Sequence, residues 1–122
     1  MRKDRERLLD IVEAIERIDK YAARGREAFE REELIQNWIV HHLQIIGQAS
    51  RGLSDDFTGQ RSEVPWAKMI GMRNILVHRY FGIDLQAVWS VVEADLPVLR
   101  SKIVSILREM GDGDMTDGRH ER

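Results

Sequence analysis

The sequence predicts an all-α protein, an antiparallel bundle of four main helices plus a short fifth. Three observations lead there. Apolar residues recur three and four positions apart over long segments. No segment alternates with the period of two that a half-buried strand would show. The segments are short-looped and separated by Gly, Pro and Asp signals that stop or cap helices, the pattern of a bundle.

The first segment, about Asp4 to Ala23, carries Leu8, Ile11, Ile15, Ile18 and Ala22 as one apolar seam on a charged helix, and Gly25 marks its stop. A second helix is expected from about Glu27 to Ser50. Its stretch from Leu34 to Ser50 has no charged residue in 17 positions. Leu34, Ile35, Trp38, Ile39, Val40, Leu43, Ile45 and Ile46 surround more than one face, so this helix is central and buried on several sides. Residues Arg51 to Val64 read as a polar loop.

Pro65 suits the first turn of a third helix, Trp66 to about Tyr80, which Phe81-Gly82 breaks. Asp84 can cap a fourth, holding Leu85, Val88, Trp89 and Val92. Pro97 would clash inside a continuous helix, so a break is expected near Ala94 with Asp95 capping the last helix. That helix repeats the three-four spacing at Leu96, Leu99, Ile103, Ile106 and Met110. Residues 1–110 are expected to form a single domain, and 111–122, rich in Gly and Asp, a disordered tail.

At 122 residues the chain is long enough for one core. Apolar residues make up 43% and charged residues 33%, ordinary for a soluble helical protein. With no cysteine there are no disulfides or thiolate metal sites. The N-terminus is charged and runs straight into an amphipathic pattern, with neither a signal-peptide core nor a membrane-length segment, so the cytoplasm is expected. Net charge is −2, yet residues 1–110 carry 17 basic and 17 acidic side chains. A neutral body lacks the electrostatic footprint of a duplex-DNA binder, and any contact with nucleic acid must be local.

The stretch Arg73-Asn74-Ile75-Leu76-Val77-His78-Arg79-Tyr80 concentrates groups able to do chemistry among apolar residues. On a helix, Asn74 and His78 share one line and Arg73 and Tyr80 another. Arg73 also continues the apolar series Trp66, Met69, Leu76, where a guanidinium is costly unless it is paired or faces a cavity. Residues 73 and 78 are separated by about 7.5 Å of rise and roughly 140° of rotation. They converge on one phosphate if the helix bends or if a second copy completes a cleft. Gly71, on the His78 line, favours the second arrangement because a residue without a side chain lets another backbone come close.

Together with Leu43-Gln44-Ile45-Ile46-Gly47-Gln48-Ala49, the Pro65-Trp66 start, and Gly82-Ile83-Asp84-Leu85 with Trp89, this stretch resembles the HepT-like family of the HEPN superfamily of helical ribonucleases. The likeness runs from the second helix onward. It implies a HEPN-like bundle and a metal-independent endoribonuclease acting as the toxin of a toxin–antitoxin pair of the type VII kind. Arg73, Asn74 and His78 match the family's catalytic motif. Tyr80 matches the tyrosine to which a minimal nucleotidyltransferase antitoxin (MntA-like) attaches AMP from ATP. The resemblance also implies a homodimer with both motif copies facing one cleft. No cofactor is expected for this chain, since the ATP is used by the antitoxin. One departure is Gly47-Gln48-Ala49, where many relatives have Gly-Glu-Ala.

The chemistry suits those residues. RNA carries its own nucleophile, the 2′-hydroxyl, so no metal-bound hydroxide is needed. A histidine titrating near neutrality can move the proton. An arginine fork can hold the non-bridging oxygens as charge develops.

Plainer readings stand beside this one. Arg73 could snorkel, and a histidine at a helix end is often structural. His41 and His42 point about 100° apart and cannot share one ion without distant partners, so packing or a dimer contact is expected of them and no metal site. Trp38, Trp66 and Trp89 sit at helical spacing with aliphatics and read as core. His120 falls in the tail. The rival function is a non-catalytic helical subunit that binds a nucleotidyltransferase and serves only as its substrate or scaffold.

Overall fold

The structure, a computed structural model, describes the backbone of residues 3–77 and 84–114, with side chains for 3–71 and 84–111. Helix α1 (Asp4–Ala22) is followed by a short α2 (Arg26–Arg31) and the long α3 (Glu33–Arg51). A short α4 (Asp55–Gln60) leads to α5 (Trp66–Val77). Helix α6 (Leu85–Ser90) runs through a π-helical turn, Val91–Asp95, into α7 (Leu96–Asp114). No strand occurs among the described residues. The fold is all-α, with long α1, α3, α5 and α7 as its main helices.

Helix α3 packs against both α1 and α5, and α7 lies beside α1. The seam read from the sequence is the face that is buried: Leu8, Ile11, Ile15 and Ile18 of α1 meet Ile39, Leu43 and Ile46 of α3 and Leu99, Ile103 and Ile106 of α7 in one core. Each such side chain removed from water stabilises the fold by about 2 kcal/mol. Phe29 of α2 closes one end, its ring 5.3 Å from Trp89.

Three local features differ from expectation. The second helix is divided at Glu32, whose backbone is extended (φ −107°, ψ 109°). The amide of Gln36 donates to the carbonyls of Phe29 at 2.9 Å and Glu30 at 3.2 Å, serving acceptors that the break leaves exposed. The loop of residues 51–64 contains α4, because Ser54 caps it by accepting from the amide of Phe57 at 3.2 Å. At Pro97 the chain does not break and Asp95 caps nothing. The missing N–H and the ring's clash with the carbonyl one turn back are absorbed by the π-helical turn just before it, so α6 and α7 form one continuous rod.

Two expectations hold in detail. Asp84 caps α6, accepting from the amide of Ala87 at 3.1 Å. Gly25 ends the α1 connection with φ 98°, a conformation open to glycine. Helix α7 continues past Met110 to Asp114, and residues 115–122, with His120, lie outside the described residues.

Candidate functional site

Helix α5 carries the candidate residues, and its first half is firmly seated. Trp66 and Met69 are 7% and 1% exposed, while Ala67 and Lys68 face solvent and Ile70 and Gly71 are half-buried. By register, position 73 falls on the Trp66–Met69 line, the one turned to the core. Position 74 falls between the lines of Ile70 and Gly71, at the edge of the buried face. Among the described residues, nothing lies within 4 Å of a Cβ added at Gly71. Arg73 and Asn74 thus belong to one α-helix, at adjacent positions. His78 and Tyr80 lie outside the described residues.

The turn leading into α5 is gripped from several directions. The carbonyl of Arg61 accepts from the Trp66 indole at 3.0 Å and from the amide of Val64 at 3.2 Å. The Arg61 guanidinium bonds to Glu109 of α7 at 2.8 Å and lies 3.7 Å from Glu63. The bond from Glu109 raises the pKa of Arg61 further, against the cost of burial. Lys102 of α7 donates to the carbonyl of Glu63 at 2.6 Å, and Lys68 pairs with Asp95 at 3.2 Å. Between these contacts α5 and α7 enclose a cleft of about 130 Å³ lined by Pro65, Met69, Val98 and Leu99.

Of the remaining candidates, His42, Trp38 and Trp89 are structural. His42 is 5% exposed, and its Nδ1 donates to the carbonyl of Trp38 at 2.8 Å, since a carbonyl can only accept. Its ring packs on Trp38 with centroids 4.6 Å apart. His41 is exposed. No group of three His, Cys, Asp or Glu among the described residues could hold a metal ion. Trp38 anchors α3 to α1 by donating to the carbonyl of Arg17 at 2.7 Å, and Trp89 lies in the core. Gln48, at the position where the motif departs from Gly-Glu-Ala, is exposed between buried Gly47 and Ala49. Its side chain makes no hydrogen bond among the described residues, while its carbonyl accepts from the amide of Gly52 at 3.1 Å.

Sequence reasoning missed the tethers at the start of α5. Pro65-Trp66 signalled a helix start, but Trp66 and Lys102 donate to backbone carbonyls, and Arg61 pairs with a carboxylate 48 positions away, which no local side-chain pattern reveals. No described helix is long and apolar enough to cross a membrane.

Comparison with known proteins places this architecture. The family model described as "Ribonuclease HepT-like" matches residues 11–106, a span that includes all four motif positions. A Thermococcus cleftensis protein named "Probable ribonuclease HepT" is 37% identical over 102 residues, covering 83% of this chain and 93% of that one. A Methanocaldococcus jannaschii protein named "Putative RNase MJ1380" is 40% identical over 75 residues, covering 62% of this chain and 69% of its own length. Another from the same organism, "Gamma-glutamylcyclotransferase and putative RNase MJ0434", is 35% identical over 112 residues. That match takes in 90% of this chain, which spans only 50% of the larger protein. No solved structure gives a significant match. The chain belongs to the HepT-like ribonuclease family, a family of RNA-cleaving enzymes.

Proposed function

We propose that the protein is the toxin of a toxin–antitoxin pair, a metal-independent endoribonuclease that works in the cytoplasm as a homodimer and is silenced by AMP attached to Tyr80. The observation that carries this reading is the motif Arg73-Asn74-x-x-x-His78-x-Tyr80 inside the span matched by the ribonuclease family. The seating of α5 supports it. Trp66 and Met69 anchor the first half of the helix on which positions 73 and 74 lie.

In this reading Arg73 holds the non-bridging oxygens of a phosphodiester and Asn74 orients either the phosphate or the imidazole. His78 moves the proton. The 2′-oxygen attacks phosphorus, the 5′-oxygen leaves, and the proton lost by the first ends on the second. The products are a 2′,3′-cyclic phosphate and a 5′-hydroxyl. Transfer of AMP from ATP to the Tyr80 oxygen releases pyrophosphate and places a tethered phosphate and adenine on the line of Arg73, where they would occupy the RNA site.

His78→Ala tests this. The variant should stay folded and dimeric, accept AMP from a co-expressed minimal nucleotidyltransferase by intact mass, and lose RNA cleavage and growth inhibition. Unchanged cleavage and toxicity would remove the catalytic reading and leave a partner subunit. Arg73→Lys should also cleave poorly, because an ammonium lacks the two-pronged fork.

A further inference from the structure

We infer that Arg61, Trp66 and Lys102 act as a positioning brace that sets the tilt of α5 and so the place of Arg73 and Asn74. The inference rests on the ribonuclease reading and deepens it. Helix α5 packs chiefly along α3, and the angle at which it leaves its start depends on what holds the turn before it. The tethers act at that start and end on α7: Lys102 holds the Glu63 carbonyl at 2.6 Å, and Glu109 holds the Arg61 guanidinium at 2.8 Å. The Trp66 indole closes the link by donating to the Arg61 carbonyl at 3.0 Å, so the first residue of α5 is tied to the turn that α7 grips.

Leverage makes this more than an ordinary set of surface contacts. Residue 73 lies two turns beyond residue 66, about 10.5 Å along the axis. A change of tilt of about 10° at the start displaces its Cα by about 2 Å. Misplacement of a catalytic group by about 1 Å can cost 10²-fold in rate. The ion pairs themselves are partly solvated, with the Glu109 side chain 59% exposed, and contribute little to global stability. Their removal should therefore change geometry more than folding, which separates a positioning role from a merely structural one.

The test uses the full chain and a single-stranded RNA oligonucleotide with a fluorescent reporter, with kcat and KM measured apart and melting followed by circular dichroism. Lys102→Met removes one donor and Glu109→Ala, on the exposed face of α7, removes the nearer of the two carboxylates paired with Arg61, the one that ties it to α7, without touching the core. Each should melt within a few degrees of the unmodified chain, keep KM within about twofold and lower kcat about tenfold. Lys102→Arg, which keeps a charged donor, should recover most of that loss. A kcat within about twofold of the unmodified chain in folded Glu109→Ala overturns the brace, whatever Lys102→Met does. A loss that Lys102→Arg does not recover overturns it too. If the unmodified chain leaves RNA uncut, the ribonuclease reading fails and takes this inference with it. A cutting chain with indifferent variants sinks the brace alone.

Discussion

Ser54 offers a direct measure of how the ends of α1 and α3 are joined. Its hydroxyl does two things at once: it accepts from the Phe57 amide at 3.2 Å, capping α4, and donates to the Asp4 carboxylate at 2.7 Å. The other Asp4 oxygen accepts from the Ser54 amide at 2.9 Å. Ser54→Ala removes the cap, at about 1 kcal/mol. It also removes a hydroxyl–carboxylate bond, which in partial contact with water contributes about 0.5–1 kcal/mol. The expected loss is about 1.5–2 kcal/mol, or a melting point lower by about 6 °C in a chain of this size.

A double-mutant cycle resolves the two parts. In an Asp4→Ala background only the cap remains to be lost, so Ser54→Ala should cost about 1 kcal/mol there, leaving a coupling of about 0.5–1 kcal/mol. Urea unfolding measures it, as a shift of midpoint at constant slope. An equal cost of Ser54→Ala with and without Asp4 would refute the clasp. A total below about 0.5 kcal/mol would refute the cap as well.

Two further perturbations follow from single positions. Gly25→Ala should destabilise by about 1 kcal/mol in urea: its φ is 98°, and because a methyl there meets nothing within 4 Å, the cost is backbone strain alone. Burial pushes the Asp19 carboxyl above its ordinary 3.8, opposed by Arg100 and aided by Glu16, so the folded state holds this proton more tightly and the group weakens stability as pH rises from 3.8 through the raised value. Asp19→Asn is accordingly expected to unfold at higher urea than the unmodified chain at pH 7, an advantage that vanishes below about pH 3.

Where the sequence could be read, burial had written it. Leu8, Ile11, Ile15 and Ile18, like Leu96, Leu99, Ile103 and Ile106, keep the three-four spacing because one stripe must meet the core, and all are buried. What could not be read is local and polar. The residues of Arg26 to Glu33 favour helix throughout, and the break at Glu32 depends on a side-chain amide four positions beyond it reaching back to two carbonyls. Pro97 correctly signals a disturbance, but whether a helix ends or widens there depends on what holds the two halves in line. The polar spacing of Ser54 and Asp55-Asp56 did contain a cap, hidden because Phe57 alone gives α4 an apolar anchor. The site divides in the same way: adjacency of Arg73 and Asn74 on a seated helix follows from register, whereas the grip on the start of α5 runs through backbone oxygens and a distant carboxylate.

Charge balance then constrains how RNA can be held. Residues 1–110 are neutral, and many arginines are committed to carboxylates: Arg17 to Glu13 at 2.8 Å, Arg24 to Glu32 at 3.1 Å, Arg26 to Glu30 at 3.0 Å and Arg100 to Glu16 at 3.2 Å. If Arg73 from each of two copies binds the strand, as proposed, few counterions are released. For single strands each neutralised phosphate contributes about −0.7 to the slope of log affinity against log salt, so two contacts predict a slope of about −1.4. Titrating RNA onto His78→Ala, which should bind without cutting, between about 50 and 200 mM salt measures it. A slope steeper than about −4 would mean a track of about six or more phosphates, which a neutral body cannot supply, and would move the binding surface away from α5.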